Sequence, residues 1–254
     1  MVKELKARNI FTKAESGYKM DIKGFVDSSF VDWDGQIASV LFLPNCNFRC
    51  PFCHNVNLVL NPETIETIPL GYITDQLETQ KKWVDGVCIT GGEPTLHKEL
   101  PELITKLKKM CFKIKLDTNG TNPGMLKELV DQKLVDYVAM DIKAPLNEKD
   151  YSKVTGVNTE KLIENVKKSV EHLLNSDIEY EFRTTVVPTL HSEEDITQIC
   201  RSLVGCKKYV LQKFDVSIGK NVIDENLASK TLSEEEMDKF LAVAQKLIPH
   251  TKRR

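Results

Sequence analysis

Six short apolar runs alternate with helical stripes along this chain, and that alternation leaves few folds open. Strands are expected at 36–43, 85–90, 112–117, 135–142, 178–187 and 208–214; within 112–117, Phe112, Ile114 and Leu116 mark one strand face. Helices are expected at 70–82, 98–110 and 158–175, with a shorter one opening at Asn122-Pro123. Leu100, Leu103, Ile104 and Leu107 form one helical stripe, and Leu162, Ile163, Val166, Val170 and Leu173 form another. Ser192 with Asp195, and Ser233 with Glu236, have the spacing of capping boxes, the second opening a last helix to about 248. Six β-then-α units predict a parallel sheet with right-handed crossovers. They are too few for a closed eight-stranded barrel. The expected class is therefore α/β, a partial (βα)6 TIM-like barrel, with a doubly wound open sheet as the alternative. Residues 1–35 fall outside the repeat and are expected to form an N-terminal extension packed on the barrel of 36–254.

The length of 254 residues suits one large domain or two small ones, and 41% hydrophobic residues suffice for a full core. A charge of 35 − 37 = −2 gives no reason to expect nucleic acid as a partner. The basic stretch 251–254 reads as a solvated tail. The longest apolar runs, such as 37–43, are far below membrane-spanning length, and MVKELKARNI has no apolar signal-peptide core. A cytoplasmic protein without membrane contact is expected. In such a reducing compartment clustered cysteines point to metal or catalysis rather than to disulfides. Seven cysteines are present, and three of them, Cys46, Cys50 and Cys53, cluster in NCNFRCPFCHN as C-x3-C-x2-C. Cys88, Cys111, Cys200 and Cys206 lie in apolar segments and read as small buried hydrophobes.

In parallel α/β folds active sites form at the carboxyl ends of the strands. The first strand runs into the cysteines. The next three end in TGGEP (90–94), DTNG (117–120) and DIK (141–143), and the last two carry Arg183 and Gln212. Each alone would read as a turn or a cap; their gathering on one rim is what points to a site. Three thiolates on one segment can hold three corners of an iron–sulfur cluster and leave the fourth iron open. The alternative is a closed zinc site completed by His54 or a distant cysteine, although Cys53 and the adjoining His54 would strain to reach one tetrahedral ion.

C-x3-C-x2-C after a first strand, followed by a Gly-Gly-Glu strand end, resembles the radical S-adenosylmethionine enzymes, over residues from about 24 to 220. The resemblance implies a 4Fe–4S cluster on Cys46, Cys50 and Cys53 whose open iron takes S-adenosylmethionine, and reductive cleavage to a 5′-deoxyadenosyl radical. It also implies roles for the rim. Gly91 and Gly92 let the backbone approach a ligand, and Glu93 faces the methionine ammonium or, alternatively, serves the start of the following helix. Arg183 pairs with the cofactor carboxylate. Asp117, Thr118 and Asn119 hydrogen-bond ribose and ammonium. Phe52 lies near the adenine or packs in the core, and His54 is counted with the cofactor-binding residues.

CHN at 53–55, GGEPTL at 91–96, DTNG at 117–120 and MDIKAP at 140–145 together resemble the glycyl radical enzyme activating proteins. DIKAP…KDYSKVTG at 141–156 resembles in particular the longer activating proteins of anaerobic ribonucleoside-triphosphate reductase, relatives of pyruvate formate-lyase activase. That likeness implies a glycyl radical enzyme as protein substrate and a flavodoxin- or ferredoxin-type reductant. It implies that Lys143 faces the cofactor carboxylate and joins the cysteines as a catalytic residue. It further implies a monovalent cation held by Asp117, Asp141, Thr118 and the Ala139 carbonyl. Departures exist. SSFVDWDG at 28–35 replaces the usual Gly-Pro-Gly-like turn, no histidine stands in the last strand, where Gln212 is the substitute, and no ferredoxin-like cysteine insert precedes Gly91. The alternatives are a small-molecule radical enzyme similar to 7-carboxy-7-deazaguanine synthase, and a non-enzymatic metal-binding module.

Overall fold

The computed structural model describes residues 20–215, 222–227 and 230–254. They fall into two compact units. The first, built from residues up to Cys46, from Asn57–Asp117 and from Leu129–Asp136, carries four strands. β1 (Gly24–Ser29) pairs antiparallel with β2 (Ala38–Leu43); β2 pairs parallel with β3 (Gly86–Gly91), and β3 with β4 (Lys113–Thr118). Every residue of β2 but Phe42 is buried, as suits a parallel strand covered on both faces. Between the strands run α1 (Val56–Leu60), α2 (Leu70–Gln80) and α3 (Leu100–Lys109). In α3 the four stripe residues Leu100, Leu103, Ile104 and Leu107 are each 0% exposed. Truncating one of them to alanine would cost about 2–5 kcal/mol.

The second unit takes in Asn47–Val56, Thr118–Glu128 and Tyr137–Arg254. Its strands β5 (Tyr137–Asp141), β6 (Glu179–Val186), β7 (Tyr209–Lys213) and β8 (Lys252–Arg253) pair in sequence order, all parallel. α4 (Pro123–Asp131) leads in, and α5 (Glu148–Thr155), α6 (Ile163–Leu174), α7 (Glu193–Leu203) and α8 (Glu234–Gln245) follow. Local chemistry sets several helix starts. Asn122 accepts the Met125 N–H at the start of α4. Both expected capping boxes form: Ser192 with Asp195 opens α7, and Ser233 with Glu236 opens α8.

β2 to β7 occupy the six expected places, each followed by helix, so the α/β class with parallel pairing is met. Four elements escaped the sequence pattern: β1, α1, α5 and β8. α6 begins later than expected: Asn158 accepts the Glu160 N–H two residues on, in a turn that precedes the helix proper. The part of the expected N-terminal extension before residue 20 lies outside the described residues.

The solvated-tail reading of 251–254 is corrected. β8 joins the sheet, the Arg254 N–H donates to the Leu211 carbonyl, and its own carbonyl accepts from Lys213. Arg253 stays solvent-exposed, as expected of the stretch, while pairing with Glu234 and Asp238 on α8. Cys111 is corrected too. It is exposed, because it follows Met110, the C-cap of α3, at φ +67, the left-handed position that ends a helix and turns the side chain outward. Cys88, Cys200 and Cys206 are buried as expected. Among the described residues no helix is long and apolar enough to cross a membrane.

Candidate active site

In the first unit, β2 and β3 run side by side with Leu43 opposite Gly91. The backbone at 43–45, which leads to Cys46, is gripped by its neighbours. The Gly92 N–H donates to the Leu43 carbonyl and the Glu93 N–H to the Asn45 carbonyl, both at 2.8 Å. The Asn45 N–H in turn donates to Leu58 at 2.8 Å, and His97 Nε2–H donates to the Pro44 carbonyl at 2.8 Å. The glycines are required for this grip. A Cβ on Gly91, whose φ is +118, would lie 2.3 Å from the Leu43 carbonyl oxygen, and one on Gly92 would lie 1.9 Å from that of Asn45. The close approach expected of these glycines is thus made to the chain itself. Glu93 is 1% exposed, and its Oε1 accepts from the Thr95 N–H at 3.0 Å and the Thr95 hydroxyl at 2.5 Å, so it caps the short 3₁₀ turn Pro94–Leu96. Asp117 is held by Lys115 at 2.6 Å.

In the second unit the segment with Cys50 and Cys53 is fastened from several sides. The Arg49 N–H donates to the Thr155 carbonyl at 2.8 Å, and Phe48 meets Tyr151 edge-on at 6.1 Å. Gly156, at φ +70, ends α5 with its missing Cβ only 2.3 Å from the Arg49 carbonyl oxygen. The KDYSKVTG motif therefore has a structural meaning: it forms α5 and clasps the cysteine segment. Asn119 donates from Nδ2 to Asn47 Oδ1 at 2.9 Å, while its Oδ1 accepts from the Thr121 N–H and hydroxyl. Asn47 donates to the Thr121 hydroxyl at 2.8 Å. Asn119 thereby braces the cysteine segment, and Thr118 accepts the Gly120 N–H within the same turn.

Around these thiols lie aromatic rings and cations. Buried Phe52 meets Phe214 edge-on, with centroids 6.4 Å apart, and exposed His54 stacks on Phe214 at 5.5 Å. The Lys143 ammonium sits 5.8 Å from the Phe52 ring centroid. Asp141, at the end of β5, takes Arg183 Nε on one oxygen at 2.8 Å and Lys143 Nζ on the other at 2.9 Å. Burial alone would raise the Asp141 pKa, but Arg183 and then Lys143 outweigh it and bring it down to about 2. Burial would likewise lower the Lys143 pKa, and Asp141 with Cys50 beside it holds it above the ordinary lysine value instead. Burial pushes the Cys53 thiol up, partly offset by the Asn55 N–H, Lys143 and Arg49. Gln212 lies half-buried on β7, and Ala139 is buried on β5 opposite Glu181.

Four further residues position these groups. Lys115 shares a face of β4 with Asp117, and the alternation in K-I-K-L-D signalled it. Tyr151 accepts the Lys143 N–H at 3.3 Å. Phe214 carries the aromatic pair. His191 accepts the Val187 N–H on Nδ1 at 3.0 Å and donates from Nε2 to the Lys143 carbonyl at 2.8 Å. Burial holds its pKa below the ordinary histidine value, which suits a neutral ring with one donor and one acceptor.

Cys46 belongs to the first unit, Cys50 and Cys53 to the second. Among the described residues no three or more His, Cys, Asp or Glu side chains gather as they would around a single ion. The donor set on the C-x3-C-x2-C segment is soft sulfur alone, and at Cys53 Lys143 and Arg49 offset only part of the upward push of burial. The sulfur donor set fits an iron–sulfur cluster.

A β-then-α fold whose first parallel strand runs into such a segment, with Gly-Gly-Glu closing the next strand, defines a class of iron–sulfur enzymes. The Radical SAM superfamily model matches residues 40–203, and the chain belongs to this superfamily. Its cofactors are a 4Fe–4S cluster and S-adenosylmethionine. A "Putative glycyl-radical enzyme activating enzyme" of Methanocaldococcus jannaschii is 32% identical over 230 residues, covering 89% of this chain and 92% of that one. A "Probable GTP 3',8-cyclase" of Pyrococcus horikoshii is 32% identical over 132 residues, 50% of this chain and 40% of its own. The crystal structure of Streptococcus suis SuiB bound to precursor peptide SuiA matches 85% of this chain and 48% of its own at a TM-score of 0.64 and 16% identity, a likeness of fold.

Proposed function

We propose that this radical SAM enzyme activates a glycyl radical enzyme, removing one hydrogen atom from a backbone glycine of a partner of the anaerobic ribonucleotide reductase class. The observation that carries the reading is the 32% identity to the archaeal relative named as such an activating enzyme, sustained over 89% of this chain and 92% of that one. The CHN, DTNG and MDIKAP motifs support it. The cluster and S-adenosylmethionine, when bound, supply the 5′-deoxyadenosyl radical that takes the hydrogen.

The chain's own residues hold and orient. Cys46, Cys50 and Cys53 would ligate the cluster, with Lys143 and Arg49 partly offsetting the burial of Cys53. Asp141 fixes Lys143 and Arg183 as a cationic pair suited to the cofactor carboxylate. Phe52 and His54 on Phe214 offer aromatic surface for the adenine, with Gln212 for the adenosine. Glu93, Asp117, Thr118 and Asn119 would serve the ammonium and ribose. Electrons would come from a flavodoxin or ferredoxin in an anaerobic cytoplasm.

A second reading, small-molecule radical chemistry of the 7-carboxy-7-deazaguanine synthase kind, is favoured by the cyclase likeness over half of the chain. Deuterium separates the two. With a candidate reductase carrying dideuterated glycine, the 5′-deoxyadenosine formed should contain deuterium by mass spectrometry. Unlabelled product, together with release driven by a small molecule, would establish the second reading instead.

A further inference from the structure

Four groups were expected to hold a monovalent cation: Asp117, Asp141, the Thr118 side chain or backbone, and the Ala139 carbonyl. The residues do not fit that ion. We infer that this chain neutralises both carboxylates with its own cations, Lys115 at Asp117 and the Arg183–Lys143 pair at Asp141, and keeps no resident alkali ion on them. The inference does not depend on which substrate the enzyme acts on.

Lys115 carries the argument. It is a lysine in the middle of a parallel strand, and it is 2% exposed. The two-residue period of β4 puts it on the same face as Asp117, one step below the strand end. Its ammonium donates to Asp117 Oδ1 at 2.6 Å and to the Asp32 carbonyl at 2.7 Å, and it lies 3.8 Å from Cys88 Sγ, the residue directly opposite on β3. These acceptors keep the ammonium in place. Asp32 is itself fixed, its carboxylate accepting the Ser29 hydroxyl at 2.5 Å, and buried Trp33 next to it packs where a Cβ on Gly86 would otherwise stand. A buried ammonium cannot exchange its partners for water, so the ion pair with Asp117 is permanent. A second cation on that carboxylate would sit within a few ångströms of the first charge, in surroundings that screen poorly.

The second unit repeats the pattern with different residues. Each oxygen of Asp141 is engaged by a cation of the chain, Arg183 on Oδ1 and Lys143 on Oδ2. The Thr118 hydroxyl oxygen accepts the Gly120 N–H at 3.1 Å. Both expected carboxylates and the Thr118 hydroxyl thus already have partners within the chain.

Melting in matched salts tests this. The wild-type protein, heated in potassium, sodium or tetramethylammonium chloride at equal ionic strength, should melt at the same temperature in all three. In Lys115→Met, which keeps the volume and removes the charge, Asp117 lacks its counter-ion. That variant should melt lower in tetramethylammonium chloride and recover as potassium or sodium is titrated in, with a saturating dose response. A saturating rise in the wild-type protein with potassium or sodium would overturn the inference. So would a folded Lys115→Met variant that melts alike in every salt. If the variant fails to fold, the wild-type measurement decides by itself.

Discussion

Replacing Gly156 by alanine should loosen the segment that carries Cys50 and Cys53, and Gly35 supplies an internal control. Both glycines have a positive φ, +70 at Gly156 and +74 at Gly35, so both substitutions incur the left-handed cost of a Cβ, about 1–2 kcal/mol. They differ in what the new Cβ would meet. At Gly35 nothing lies within 4 Å, whereas at Gly156 the Arg49 carbonyl oxygen stands at 2.3 Å. Relief of that contact must move backbone against backbone, and it pulls on the bond from the Arg49 N–H to the Thr155 carbonyl, worth about 1 kcal/mol. Gly156→Ala should therefore cost about 2–4 kcal/mol and Gly35→Ala about 1–2. For a chain of this size each kcal/mol lowers the melting temperature by about 2–4 °C. The assay is thermal unfolding of both variants, together with iron content after anaerobic reconstitution. Gly156→Ala should melt lower than Gly35→Ala and retain less iron. Equal melting temperatures and full iron in both would refute the idea that α5 clasps the cysteine segment.

Three other outcomes are expected. Asp141 titrates at about 2 in the folded protein against an ordinary 3.8, so its ion pairs contribute about 2 kcal/mol. A depressed carboxylate stabilises fully above its ordinary pKa and loses that contribution as pH falls towards 2, so the stability gap between wild type and Asp141→Asn in denaturant should be full at neutral pH and shrink below pH 4; a gap independent of pH would contradict it. Ser192→Ala removes the cap of α7 and should cost about 1 kcal/mol in the same experiment, with no loss pointing to water as an adequate substitute. Cys50→Ala should abolish stoichiometric iron binding under anaerobic reconstitution, and four irons per chain retained in that variant would exclude Cys50 as a ligand.

What the sequence revealed and what it hid follow from the range of the forces involved. Strands β2 to β7 and the capping boxes rest on local signals, apolar periodicity and a serine three residues before a carboxylate, and these survive folding unchanged. β8 is two basic residues, and only its pairing with β7 makes it a strand. α5 is mostly polar, with Tyr151, Val154 and Thr155 as its buried face, so its pattern is faint although its clasp on Arg49 is specific. At the site, the named residues were legible as types and spacing, but their partners were not. Asn119 turns to Asn47 and the glycines to residues 43–45, pairings between distant segments that carry no mark in a single sequence, whereas Glu93 turns to Thr95 and Asn119 to Thr121 within their own short turns. Lys115 was the residue most open to recognition, since a lysine two places before a strand-end aspartate on the same face leaves few other neighbours for its charge.

Electron paramagnetic resonance on a reconstituted mixture tests the proposed activity most directly. Reduced protein, S-adenosylmethionine and an anaerobic ribonucleotide reductase from the same source should give a glycyl doublet that collapses to a singlet when the partner's glycine is deuterated, and Cys50→Ala should give none. Cleavage of S-adenosylmethionine without any protein radical, across every glycyl radical enzyme of that source, would contradict the activating role.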